Sequence, residues 1–462
     1  MSTWFIIFGV IYIIILAFIG LRSWQRTKSA EDYILGGSRL GTLIGMMTFA
    51  ATLFSTFTLM GMPDFFRTHG IGAWIFLAIS DAAMFFFILW FGYHLRKRAR
   101  EGSYQGVAGL MSNLYKTKWA GYVYFVGVFL FLVPYVAIQI RGIAIFLNAV
   151  FPEALPAWGW STLIVVLMLS YSEIGGLRAI IYNDVIQGTI LLLVLWVIAI
   201  GCVQSFGSVS NLFAEVKAFN PELLSVPGPQ GLLTTQFLFA SFLAIVLIPV
   251  TQPQVTTRLV IMRSNKTLHS MAVGLGIFAF LVLLPTIAIG LYGALNYTGN
   301  TSSEFLSGVL LYEQLDWIAA IVIIGLLAAA TSTADSQIFA LGSELRSMLK
   351  VKEEHKMKYT RFTILFFAVA ALVFSVLSSD QLVLLARVSF AGTSILAPLI
   401  LSGIFHKKQP PVWILPFTAL GVGLFILSLT GIIPSTYSGI RLEILILFTL
   451  FSLMALSFFR KK

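Results

Sequence analysis

The chain has 462 residues, of which 58% are hydrophobic and 11% charged, with 40 Phe and a mean hydropathy of +0.92. Soluble domains carry about 25% charge, so this composition excludes a soluble enzyme and leaves no room for a sizeable soluble output domain. The net charge of +11 is then a matter of membrane topology rather than nucleic-acid binding, and the single cysteine, Cys202, excludes an internal disulfide and a thiolate metal cluster.

A span needs about 20 apolar residues, and the sequence offers thirteen such windows, at about 3–21, 42–62, 70–95, 120–150, 158–172, 184–206, 232–256, 270–296, 316–348, 360–378, 380–405, 411–431 and 439–459. The first, Trp4 to Leu21, has no basic region before it and no small-residue cleavage site after it, so it is expected to be a retained span rather than a signal peptide. With the N-terminus outside, 25 of the 30 Lys and Arg fall in loops on the inner side, from Arg22 through Arg258 to the Arg460–Lys462 tail. Arg67, Lys217 and Arg441 remain outside, and Arg141 and Arg387 lie within spans. This alternation predicts an all-α polytopic membrane protein of about 13 transmembrane helices, N-terminus out and C-terminus in. Runs such as Lys350 to Lys358 are read as solvated loops near anionic lipid.

Taken along the chain, window 2 places Thr48, Thr52, Ser55, Thr56 and Thr58 in the middle of a membrane helix flanked by Gly41 and Pro63. Such hydroxyls either line a cavity beside unwound backbone or let helices pack closely. Window 3 carries Asp81, and window 4 carries Gln139 and Arg141; Arg141 could pair with Asp81 or offer its planar fork to a solute carboxylate. Ser172 to Gln187 reads as a polar turn joining windows 5 and 6, with Asp184 near the membrane boundary, where capping and ion binding are both open roles. Thr251 to Arg258, with Gln252-Pro-Gln254, closes window 7.

Window 9 is the most pointed. Ala328 to Gln337 puts Thr331, Ser332, Thr333, Asp335 and Ser336 within a little over two turns of one apolar helix. These are hard oxygen donors without sulfur or imidazole, which suits an alkali cation better than a transition metal, and an intramembrane carboxylate is costly enough to be read as functional. The sequence has no Walker loop, zinc-binding histidine pair, nucleophile elbow or cysteine nucleophile, so no enzyme activity is expected.

Several segments together resemble the sodium:solute symporter family, which includes proline, pantothenate, sialic acid and sodium–glucose transporters. They are Tyr33 to Gly41, Leu59 to Pro63, Gly175 to Ala179 with Asn183 to Gln187, Gln252-Pro-Gln254 with Arg258, and Ala329 to Thr333, in family order. The resemblance implies one transporter domain over 1–462 built on an inverted five-helix repeat. It would comprise an extra N-terminal helix and loop (1–40), a first repeat (41–206), a second repeat (232–405) and extra C-terminal helices (411–462). It further implies a coupling Na+ held by the carbonyls of Ala51, Phe54 and Ala329 and the hydroxyls of Ser332 and Thr333. A second cation or proton site would map to Asp184, Asp335 and Ser336. By analogy with sialic acid relatives, Ser55, Thr58, Gln139 and Arg141 become the candidates for solute binding. The proline transporters have Asp where this chain has Leu53, so proline itself is not implied.

The expected function is inward Na+ symport of a small, carboxylate-bearing solute across the cytoplasmic membrane. Two alternatives stand beside it. Coupling could use protons through Asp335 or Asp184, or the fold could sense a solute without transporting it.

Overall fold

The computed structural model describes residues 2–37, 39–101, 104–151, 153–349, 352, 355–377 and 382–459. Within them the chain is almost wholly helical, because in hydrocarbon each backbone N–H and C=O must be paired inside its own segment. A first long helix, α1 (Ser2–Arg26), leads to the short α2 (Ala30–Leu35), whose N-terminus is capped by the Ser29 hydroxyl accepting from the Asp32 N–H. Next comes α3 (Thr42–Leu53), then a π turn at Phe57–Gly61 and α4 (Met62–His69); the segment 57–69 is bent by 61° from α3.

Four helices follow: α5 (Trp74–Glu101), the short α6 (Val107–Leu114), α7 (Lys118–Val150) and α8 (Ala157–Gln204). A peripheral α9 (Val209–Phe219) precedes a second interrupted run, α10 (Thr235–Val246), α11 (Ile248–Thr251) and α12 (Pro253–Val260). Beyond it lie α13 (Asn265–Asn296), α14 (Ser302–Ser307), α15 (Asp316–Met348), α16 (Lys356–Leu377), α17 (Leu382–Ser394) and α18 (Ala397–Phe405). The chain ends with α19 (Ile414–Leu429), a hairpin of β1 (Thr436–Tyr437) and β2 (Ile440–Arg441), and α20 (Leu442–Phe459).

Among the described residues nine helices are long and apolar enough to cross a bilayer, or ten when the bent pair counts as one span. The chain is therefore a multi-span helical membrane protein.

Two local outcomes differ from the sequence reading. The segment 172–187, expected as a polar turn, is helical on both sides of a break at Gly176 (φ 62°, ψ −158°), so α8 consists of two arms that meet there. Only glycine suits that break, since a Cβ there would lie 2.6 Å from the Tyr33 ring and 2.7 Å from its carbonyl oxygen. Arg258, counted above as a loop charge, is instead buried at the centre of the bundle, with 1% of its surface exposed. The tail 460–462, the boundary at 378–381 and most of the basic run 350–354 lie outside the described residues.

The core is organised around α15, which packs against α8, α7, α16, α1, α12 and α3. Its apolar window is 78% buried, whereas that of α1 is 17% buried, so α15 is an interior helix and α1 a peripheral one that turns an apolar flank outward. Both interrupted runs meet at the end of the bundle rich in basic residues. There the Leu40 N–H donates to the Ile261 carbonyl (3.1 Å) and the Arg263 N–H donates to the Leu40 carbonyl (2.9 Å). Arg96 of α5 closes the same corner by donating to the carbonyls of Leu259, Val260 and Met262 at 3.0, 3.0 and 2.6 Å.

Candidate functional site

The break between α3 and α4 sets the first cluster. Phe54 ends α3 in an extended conformation (φ −91°, ψ 113°), so the regular carbonyl-to-amide ladder stops there. Two hydroxyls start the next segment: Ser55 Oγ accepts from the Phe57 N–H (3.2 Å) and Thr58 Oγ1 accepts from the Ser55 N–H (3.1 Å). The last turn of α3 faces α15. Ser332 Oγ donates to the Ala51 carbonyl (3.1 Å) and lies 3.1 Å from the Ala329 carbonyl, and Thr333 Oγ1 donates to the Ala51 carbonyl at 3.2 Å. Four of the five expected Na+ ligands thus form one buried group of neutral oxygens, with Phe54 at the adjoining helix end. Neutral hard oxygens from a helix break and a facing helix fit an alkali cation.

A second cluster lies further along α15 and has a different electrostatic character. Arg258 of α12 pairs with Asp184 of α8 (NH2 to Oδ2, 2.8 Å), with 1% and 0% of the two side chains exposed. The same guanidinium donates to Thr48 Oγ1, Ser336 Oγ and the Gln254 carbonyl, each at 2.8 Å. Thr48 Oγ1 in turn donates to Asp184 Oδ2 (2.5 Å). Four helices are joined through one side chain.

Asp335, next to Ser336 in sequence, turns toward α8 and accepts from the Tyr171 hydroxyl at 2.6 Å. Asp184 Oδ1 and Asp335 Oδ1 are both buried without a hydrogen-bond partner. The expected second site is therefore split: Asp184 and Ser336 share Arg258, and Asp335 is held by Tyr171.

Between the two interrupted runs lies a central cavity of about 30 Å³, whose lining includes Thr52, Phe54, Asp81, Tyr135, Gln252 and Phe390. On one side of it a space of about 10 Å³ is bounded by Phe237, Phe390 and Arg387. That space has room for about one water. Arg387 is held there by Glu443 (2.6 Å), Ser241 Oγ (2.7 Å) and the Phe237 ring (4.5 Å to the centroid). On the other side, Arg258, Tyr104 and Gln105 line a small space of about 10 Å³, and a basic cavity of about 600 Å³ shares Tyr104 and Gln105 with it. The central cavity and the spaces beside it are small, and the cavity at the basic end is wide.

Of the expected solute ligands, Ser55 and Thr58 sit at the α3–α4 break, occupied in capping it. Gln139 is buried on α7 with both amide atoms unpartnered. Arg141 does not line the central cavity; it donates to the carbonyls of Ser375 (3.0 Å) and Val376 (3.4 Å) at the C-terminus of α16. Asp81, a window-3 charge without an assigned role, does line the cavity. The sequence reading gave no site role to Arg258, Tyr171, Tyr135 or Gln252. A signal for Arg258 was present, since an arginine four residues past a Gln-Pro-Gln break is close enough to a span to need a buried counterion.

A multi-span helical bundle that buries a broken helix against an oxygen-rich interior helix, with cavities in a row beside it, is the architecture of a secondary transporter. The chain belongs to the sodium:solute symporter family, whose sequence model matches residues 33–410. It is a Na+-coupled symporter of a small solute, not an enzyme. It is 24% identical over 417 residues to the sodium/pantothenate symporter of Haemophilus influenzae, covering 87% of this chain and 85% of that one. It is likewise 24% identical over 413 residues to the high-affinity proline transporter PutP of Bacillus subtilis, covering 85% of each. In fold it is similar to a Na+-coupled sialic acid symporter solved in a substrate-bound, outward-open state, with a TM-score of 0.78, 18% identity and coverage of 97% and 96% of the two chains.

Proposed function

We propose that this protein couples one Na+, bound by Ala51, Phe54, Ala329, Ser332 and Thr333, to uptake of a small carboxylate-bearing solute across the cytoplasmic membrane. The observation that carries the reading is the pair of α15 hydroxyls directed at the Ala51 carbonyl where α3 breaks. A cation there binds both helices at once and favours the state in which they touch, which is the differential affinity that coupling requires. One charge crossing about 100 mV contributes roughly 2.3 kcal/mol and a tenfold Na+ gradient about 1.4 kcal/mol, enough for several-hundred-fold accumulation. The carboxylate is supported by the relatives, named for transport of proline, pantothenate and sialic acid.

The second cluster supports a second translocated charge. Arg258 pairs with Asp184, whereas Asp335 is held by the Tyr171 hydroxyl without an ion-pair partner among the described residues, and each carboxylate keeps a buried, unpartnered oxygen. A second Na+ or a proton would balance Asp335.

Topology belongs to the same proposal. The nine long helices, the bent α3–α4 pair, the second arm of α8, the α10–α12 run and α19 together supply thirteen crossings. The two arms of α8 on either side of Gly176, 157–175 and 177–204, are about 28 and 42 Å long at 1.5 Å per residue, each enough for about one crossing. We place the basic end inside, the N-terminus outside, and the two repeats at 41–206 and 232–405, each opening on an interrupted helix.

The test is uptake of labelled proline, pantothenate and sialic acid by proteoliposomes under an inward Na+ gradient, with a K+ gradient as control. Accumulation that needs Na+ and is lost in Ser332→Ala supports the reading. Equal uptake in both gradients would refute Na+ coupling.

A further inference from the structure

The central cavity carries a pair of unused polar groups that specify more than a carboxylate. Asp81 of α5 lines it with no hydrogen-bond or ion-pair partner among the described residues. A carboxylate in a span is retained at a cost of several kcal/mol unless something compensates it. The nearest plausible compensator by sequence, Arg141, is engaged with the carbonyls of α16 instead. Gln252, at the break before Pro253, lines the same cavity. Its Oε1 accepts from Gln254 Nε2 at 2.6 Å, but its own Nε2 is buried with no partner. The rest of the wall is apolar apart from Thr52 and mixes aliphatic side chains with the rings of Phe54, Phe57, Tyr135 and Phe390.

The cavity thus offers one anion that wants a cation, one N–H that wants an acceptor, and ring faces that attract positive charge. We infer that the solute is a zwitterion whose cationic nitrogen pairs with Asp81 and whose carboxylate accepts from Gln252: an amino, imino or quaternary-ammonium acid. This rests on the symporter reading above and narrows it, since an organic acid without a cationic nitrogen would leave Asp81 uncompensated.

The experiment is thermal unfolding of the purified full-length protein, followed by Trp fluorescence in saturating NaCl. The probes are the proteinogenic amino acids, glycine betaine and two carbon isosteres that lack only the cationic nitrogen. Cyclopentanecarboxylate replaces proline and 3,3-dimethylbutyrate replaces glycine betaine. At least one zwitterion is expected to raise the melting temperature, with its carbon isostere or any amino-group-blocked analogue inert. Asp81→Asn should weaken that zwitterion about 10- to 100-fold and Gln252→Leu about 3- to 10-fold, as loss of charged and neutral hydrogen bonds implies. Retention of the Na+-induced shift in both variants reports that they are folded.

Stabilisation by a carbon isostere or pantothenate equal to that of the zwitterions would overturn the inference, as would no response to any zwitterion, or Asp81→Asn binding with unchanged affinity. In those cases a persisting Na+ shift leaves the symporter reading in place. Loss of the Na+ shift in the unmutated protein would instead strike the symporter reading itself.

Discussion

Two oxygen-rich clusters stand a turn apart on α15, and they are built from similar parts. Around Ser332 and Thr333 every donor is a neutral oxygen and α3 supplies a carbonyl. Beside Ser336, α12 delivers a guanidinium that pairs with Asp184, while Asp335 is held by Tyr171. The first cluster suits a mobile cation because it contains no charge of its own, so binding and release move one whole charge. In the second, the resident Arg258 holds Asp184 and fastens α3, α8, α12 and α15 together, which leaves Asp335 as the group open to a translocated charge. Oxygen count alone does not separate the two clusters; the presence of a fixed countercharge does.

The strongest break of this contrast is Arg258→Met. It leaves Asp184 and Asp335 buried with no cation, and removal of one partner from a buried pair costs about 3–5 kcal/mol. The expected result is a large drop in thermal stability, with the double substitution Arg258→Met, Asp184→Asn recovering much of it. If the single change left the melt within about 1 kcal/mol of the parent, the fastening role would be wrong.

A sharper and smaller test is Asp335→Asn. Removing the uncompensated charge should lower the charge carried per solute by about one, a loss of roughly 2.3 kcal/mol of driving force at 100 mV. The readout is the ratio of transport current to labelled solute flux in proteoliposomes, and an unchanged ratio would place the second charge elsewhere. The smallest expected effect is that of Arg141→Ala. This residue caps α16 away from both clusters, so its loss should cost about 1 kcal/mol or less of stability. Na+ and solute affinity should stay within about twofold, a change below 0.5 kcal/mol.

The contrast was partly legible in the sequence. Hydropathy marked the spans because a span must be apolar over its whole length, and the nine or ten membrane-length helices among the described residues fall on windows read from the sequence. The hydroxyls of Ser332 and Thr333 were legible because polar groups stand out in so apolar a helix. The family resemblance then supplied the carbonyls of Ala51, Phe54 and Ala329, which leave no mark on side-chain composition.

Arg258 was misplaced because its distance from Pro253 fits either a loop or a return into the bundle. Tertiary packing of α12 under α15 decides between them. The break in 172–187 was legible from its glycines, and the chain does break at Gly176, where a positive φ lets Tyr33 pack closely. Arg141 was drawn into the solute site by chemistry that fits a carboxylate, yet its position on α7 reaches carbonyls of α16. Periodicity places a residue on its own helix; which neighbour that face meets depends on the packing of the other helices.

The most direct measurement of the central claim needs no solute. The purified protein is melted in NaCl and in KCl at equal ionic strength, alongside Ser332→Ala, Thr333→Ala and, as a control on α15, Asp335→Asn. A ligand that binds the folded state raises its apparent stability by mass action. The account predicts a Na+-specific rise in the parent and in Asp335→Asn, lost in both Ser332→Ala and Thr333→Ala, each of which costs about 1 kcal/mol of stability without Na+. An equal melt in the two salts, or a Na+ rise that survives both hydroxyl removals, would contradict it.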